Sequence, residues 1–219
     1  LARLVRLAQL ASNPSLVDAA YHETPAKLVA LDGLLHEYFA RGADQKVILW
    51  TSFVGNIATL CERYAKWSPV AIHGEISNEA RDAAVRAFRT DSDTRLLVAN
   101  PAAAREGLTL TEANVAIYID RTFNLVDYLQ SQDRIHRISQ TRDCDIVLML
   151  ASQTVDEFID FTLEQKHRLA RYAQSDTVDI ADEDLQLQKP DVLKALLGPS
   201  AFRDSRGQGM PPLTGRTQP

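Results

Sequence analysis

Cysteine is scarce in this sequence. Only Cys61 and Cys144 occur among 219 residues, and they form no CxxC pair. That excludes a disulfide framework and gives no zinc-ligand spacing, so a reducing, intracellular setting is expected. Long apolar runs are missing too. The longest, Ile146 to Ala151, is strand-sized and far short of the ~20 residues that cross a bilayer, so no membrane partner is expected. Neither sign of charge dominates: 24 Lys and Arg stand against 29 Asp and Glu, a net charge of −5. There is no global basic field, although a local patch suffices to meet a nucleic acid. Gly-x-x-x-x-Gly-Lys-Ser/Thr occurs nowhere, and neither a dinucleotide fingerprint nor a nucleophile elbow replaces it. No signal-peptide pattern is present and the first residue is Leu1, so the chain reads as a piece of something longer.

What is present is ordinary globular composition, 45 % apolar and 24 % charged, enough to bury a core on both faces of a sheet. Five short β-rich runs stand out: Lys46 to Trp50, Val70 to His73, Arg95 to Ala99, Val115 to Ile119 and Asp145 to Leu150. They are continuously apolar rather than alternating, as strands buried on both faces must be. Helical spacing lies between them. Ile57, Leu60, Cys61 and Tyr64 repeat at i, i+3, i+4, i+7, as do Ala80, Ala84, Ala87 and Phe88. Ser77, Asn78 and Glu79 supply good first-turn chemistry for the second helix. Strand–helix alternation with short links predicts an α/β fold, a parallel sheet with right-handed crossovers. The last 22 residues, Gly198 to Pro219, hold four of nine glycines and four of nine prolines and read as a tail.

In a parallel sheet, ligands sit beyond the carboxyl ends of the strands. Thr51 to Phe53, His73-Gly74, Asn100 to Gly107 and Asp120 to Thr122 therefore occupy the informative positions. The richest segment is Gln130-Ser-Gln-Asp-Arg-Ile-His-Arg-Ile-Ser-Gln140. Continued as a helix, it places Gln130, Asp133, Arg134 and Arg137 on one face, with Leu125, Tyr128, Leu129, Ile135 and Ile138 opposite. Two guanidinium groups one turn apart call for an anion, and a triphosphate suits their planar, multi-donor geometry. Gln130 and Asp133 could fix the arginine rotamers. A solvated helix face with Asp–Arg pairs is the plainer alternative.

Gln-x-x-Asp-Arg-x-His-Arg-x-x-Gln, eleven residues with six specified positions, resembles motif VI of the Swi/Snf-type ATPases, superfamily-two DNA translocases built from two RecA-like lobes. Other segments are similar in order and spacing. "KVILWTSF" at 46–53 resembles the strand and turn that open the second lobe, and Ala71 to Gly74 with Arg81 and Phe88 resembles the block after it. "LLVANPAAAREGLTL" at 96–110 resembles motif V, "IYIDRTFN" the strand and turn that follow, and "LAQLASNPSLV" at 7–17 the brace helix before the lobe. The chain departs from the family in motif V, where Ala102 and Ala104-Arg105 replace a basic residue and a Gly-Gly pair and only Gly107 remains. After the fourth strand, Phe123-Asn124-Leu125 replaces Trp-Asn-Pro.

The resemblance implies a brace helix and lead-in over 1–24, a RecA-like lobe over 25–174, and an acidic, Gly/Pro-rich extension over 175–219 that is partly disordered. It implies arginine fingers at Arg137 and Arg134, aimed at ATP with Mg2+ bound mainly by a first lobe elsewhere in the parent protein, with Gly107, Gln130 and Asp133 lining that site. Double-stranded DNA would be gripped through Thr51, Ser52, Gly74, Asn100 and Arg105. Without its own phosphate loop or a magnesium-binding carboxylate pair, the chain alone is expected not to hydrolyse ATP. Each residue also has a structural reading. Thr51, Ser52 and Asn100 could cap helices, and His73 could be a hydrogen-bonded strand end. His136 could buttress the arginines, Trp50 and Phe123 could be core, and Lys166, His167, Arg168 and Arg171 could offset a helix dipole. A non-catalytic lobe that binds nucleic acid or a partner is the alternative function; a small-molecule α/β enzyme ranks behind both.

Overall fold

The computed structural model describes residues 2–105 and 108–174. The five apolar runs form strands β1 (Val47–Trp50), β2 (Val70–Ile72), β3 (Leu96–Ala99), β4 (Val115–Tyr118) and β5 (Asp145–Leu148). All pair in parallel, in the order β2-β3-β1-β4-β5. Alternate strand residues serve opposite faces. Val47 and Leu49 join Leu96, Val98, Val115 and Ile117 in one core, with Leu31, Leu35, Ile57 and Leu60. Ile48 and Trp50 join Leu97, Ala99, Ala116 and Tyr118 in the other, with Phe88 and Ile135. Burial on both faces explains why the strands read as unbroken apolar runs.

The first face is covered by α2 (Ala26–Ala40) and α3 (Val54–Arg63), the second by α4 (Asn78–Thr90) and α5 (Leu125–Gln132). Ser77 caps α4 by accepting from the Ala80 amide, with Glu79 in the first turn. Lys46 fastens the other end of α4: its Nζ donates to the carbonyls of Phe88, Asp91 and Thr94 at 2.6, 2.6 and 2.8 Å. The segment expected as a brace is α1 (Ala2–Ser12) followed by a short turn of helix, Pro14–Leu16. It packs against α6 (Val155–Gln174) in a third cluster that includes Ala8, Val155, Ile159 and Leu163, with Phe53 and Phe123 beside them. Trp50 is core, as read from the sequence, and Phe123 packs edge-on to Phe158 at 5.6 Å.

One expectation is corrected. The helix read through residues 130–140 stops at Gln132, with Asp133 as its cap, and 134–140 is a series of turns. Tertiary hydrogen bonds end the helical ladder. The Arg134 carbonyl accepts from the Leu110 amide, and Gln140 Nε2 donates to the carbonyls of Thr111, Ala113 and Ile135. Ile138, expected to pack, is fully exposed, whereas Ile135 is buried. No helix among the described residues is long and apolar enough to cross a membrane.

Candidate nucleotide and nucleic-acid interface

The loops at the carboxyl ends of β1, β3 and β4 are joined by one buried carboxylate. Asp120, two residues beyond β4, accepts from the Ser52 amide at 2.6 Å through Oδ1. Its Oδ2 accepts from the hydroxyls of Thr51 at 2.8 Å and Ser12 at 2.6 Å. Burial pushes this carboxyl above its ordinary range, and the donors from Ser12, Ser52 and Thr51 work against that shift. From the other side, Asn100 Nδ2 donates to the Ser52 carbonyl at 3.0 Å, and Asn100 Oδ1 accepts from the Ala102 amide. The Ser52 peptide is thus held at both ends. Its half-buried side chain lines a cleft of about 160 Å³ with Asn100, Ala102, Thr122 and Asn124. Arg121, buried at the same cleft, pairs with Asp160 and lies 5.0 Å from the Tyr128 ring.

Of the expected strand contacts, Ser52 and Asn100 come together, and Asn100 is also tied to β2 because its amide donates to the Ile72 carbonyl. Gly74 follows β2 on the same edge, exposed, and a Cβ built there would meet nothing within 4 Å. Thr51 is corrected: it is fully buried, and its hydroxyl is committed to Asp120, so it shapes the loop without reaching a ligand. The backbone of Arg105 lies in a short 3-10 helix, Pro101–Arg105; its side chain, and Gly107 altogether, lie outside the described residues.

The second cluster lies where the turn after α5 meets residues 108–113. Arg134 is 7 % exposed and its Nη1 donates to the Leu108 carbonyl at 3.2 Å, while its buried Nε has no hydrogen-bond partner. Arg137 is exposed; its Nε donates to the Asp133 carbonyl at 2.9 Å and its Nη1 to the Thr109 hydroxyl at 2.8 Å. Burial and the neighbouring Arg137 charge both pull the Arg134 guanidinium below its ordinary pKa. Two cations that disfavour each other, one of them desolvated, form a site that an anion would relieve. Arg137, Asp133 and His136 border an open cleft of about 820 Å³. Asp133 holds Arg137 through its backbone carbonyl and acts on Arg134 through its charge, while Gln130 Oε1 is buried without a hydrogen-bond partner.

Sequence reasoning missed the linking role of Asp120 and Ser12. The available signal was an aspartate directly following five apolar strand residues, a place where a carboxylate must find donors. Among the described residues, no group of three or more His, Cys, Asp or Glu could hold a metal ion. Lys166 donates to the Phe123 carbonyl at 2.7 Å, which attaches the middle of α6 to the loop after β4.

Comparison with known proteins bears on the family and the fold. The model of the helicase conserved C-terminal domain matches residues 26–139, just over half of the chain. The chromodomain-helicase-DNA-binding protein 1-like of Danio rerio is 29 % identical over 176 residues, 76 % of this chain and 17 % of that protein. A putative ATP-dependent helicase/translocase of Bacillus subtilis is 30 % identical over 175 residues, 77 % of this chain and 19 % of its own. The chain therefore spans less than a fifth of the length of these relatives. Among solved structures, the SWI2/SNF2 ATPase core of Sulfolobus solfataricus in complex with dsDNA superposes with a TM-score of 0.63 at 26 % identity, over 76 % of this chain and 35 % of that one. The same core without DNA gives a TM-score of 0.65 at 23 % identity, over 88 % and 39 %, a likeness of fold. Matched in sequence over its central lobe and in sheet architecture throughout, this chain belongs to the helicase conserved C-terminal domain family, as a RecA-like C-terminal lobe of the Swi/Snf type.

Proposed function

We propose that the chain is the second lobe of an ATP-driven duplex-DNA translocase, and that it completes an ATP site whose phosphate loop and Mg2+ ligands lie on a first lobe of the parent protein. The observation that carries this reading is the arginine pair. Arg134 is buried with an orphaned Nε beside the charge of Arg137, and Arg137 stands exposed at an open cleft. A triphosphate fits that demand in charge and in planar donor geometry. Mg·ATP supplies the phosphoryl group and its electrophilic phosphorus. Arg137 stabilises charge that develops on the transferring phosphoryl oxygens, a contribution on the order of 10³–10⁵ in rate for an arginine finger. Arg134 sits behind it, anchored on Leu108, and orders the same surface, with Asp133 at the rim; Gln130 and Gly107 are assigned to the site by the family resemblance.

DNA meets the other cluster. Ser52, Gly74, Asn100 and Arg105 lie at the strand ends or in the loop beyond β3. Hydroxyl, amide and open backbone groups there serve a partner that must be held by its phosphates regardless of sequence. Support comes from the likeness to a core solved with dsDNA. In the parent protein, Arg137→Ala should lower DNA-stimulated ATP hydrolysis by at least about 10³-fold while the fold and most nucleotide binding persist. Turnover within tenfold of wild type would contradict the finger assignment. Retained DNA binding with no hydrolysis in the wild-type parent would favour a lobe that only binds.

A further inference from the structure

The last turn of α1 reaches into the loop assigned to DNA. Ser12 is 1 % exposed and is the terminal residue of α1; besides donating to Asp120, its hydroxyl accepts from Asn56 Nδ2 at 2.8 Å. Asn13, 3 % exposed, donates to Asn56 Oδ1 at 3.0 Å, and its own Oδ1 caps the helical turn that follows. Thr51 accepts from the Phe53 amide at 3.3 Å while donating to Asp120. Ser12, Asn13, Thr51, Asn56 and Asp120 thus form one buried polar network that draws on α1, α3 and the loops after β1 and β4. A network so placed is costly unless its members are satisfied, and these partners satisfy it while fixing a single arrangement. The rest of α1 is held on α6 by apolar packing through Ala8, with Leu4, Leu7 and Ala11 alongside. Packing alone would secure the helix and would not require a hydroxyl at its end.

We infer that Ser12 is a positioning residue: through Asp120 it locks α1 to the loop at 51–53 and holds the Ser52 hydroxyl in the posture that meets a DNA strand. The inference rests on the DNA role proposed above for Ser52. Asp120 uses one oxygen on Ser12 and Thr51 and the other on the Ser52 amide. Loss of the Ser12 donor, the shorter of the two hydroxyl bonds on Oδ2, leaves the carboxylate held by Thr51 and the Ser52 amide and loosens its grip on the Ser52 peptide. A movement of α1 would pass to the loop by the same route.

The test uses the full-length parent protein as wild type, Ser12→Ala and Ser12→Thr. Hydrogen exchange of the amides of residues 51–53 should quicken in Ser12→Ala and return toward wild type in Ser12→Thr, whose hydroxyl restores both bonds. The duplex-DNA concentration for half-maximal ATPase stimulation should rise about fivefold in Ser12→Ala, the scale of one buried hydrogen bond, with the DNA-saturated rate kept within about twofold. Unchanged exchange would overturn the lock itself. Quickened exchange with unchanged half-saturation would overturn the DNA role of the loop, and with it the reading beneath this one. Should Ser12→Ala fail to fold, Ser12→Cys, isosteric but a weak donor, carries the same comparison.

Discussion

Arg134 and Arg137 are three residues apart, and they differ sharply in burial. Arg134 is enclosed and donates to a backbone carbonyl, whereas Arg137 is exposed and anchored by Asp133 and Thr109. The residue types and their spacing were legible in the sequence, where two guanidinium groups one turn apart suit an anion and the motif carries the family resemblance. The bonds that hold them were not legible, because two run to backbone carbonyls and the third to Thr109, which the fold alone brings near. Asp120 gives a residue-scale test of the buried network. Its pKa in the folded protein is raised by burial, so the folded state binds the proton more tightly than the unfolded one. Its contribution is therefore greatest in acid and is lost as pH rises from its unfolded value, about 4, through the raised folded value. Asp120→Asn cannot titrate. The stability of wild type minus that of Asp120→Asn should fall with rising pH over that window and then level off, as measured by urea unfolding from pH 4 to 8. A difference that rises with pH would contradict the burial argument.

At the scale of elements, the strands were readable because burial on both faces leaves no polar alternation to confuse the period. The end of α5 was not. Residues 133–140 keep helical spacing in sequence, yet their carbonyls are claimed by Leu110, Gln140 and the Cys144 thiol. Such claims, the one from Leu110 reaching across 24 residues, override a local period. The start of α5 is local and obeys local rules: Asn124 accepts from the amides of Val126 and Asp127. Asn124→Ala should cost about 1 kcal/mol of stability and Asn124→Ser much less, since serine caps nearly as well. Equal losses in a denaturant titration would show that the cap does not hold α5 and the arginine turn that follows it.

Taken as a whole, the molecule presents two chemically different surfaces joined by the segment after β3. Residues 100–102 meet Ser52 and line the strand-end cleft, and 108–109 meet the arginines. The two clusters are thus only a few residues apart along the chain, the arrangement that the proposed coupling of DNA to ATP calls for. The proposed division of labour, in which this lobe completes an ATP site begun on another lobe, rests on the arginine pair, one member buried with an orphaned Nε beside the charge of the other. The most direct measurement is ATP hydrolysis, with and without duplex DNA, by the full-length parent and by this chain alone. The account predicts turnover that rises with DNA in the parent and none in the isolated chain; hydrolysis by the isolated chain, or a parent indifferent to DNA, would contradict it.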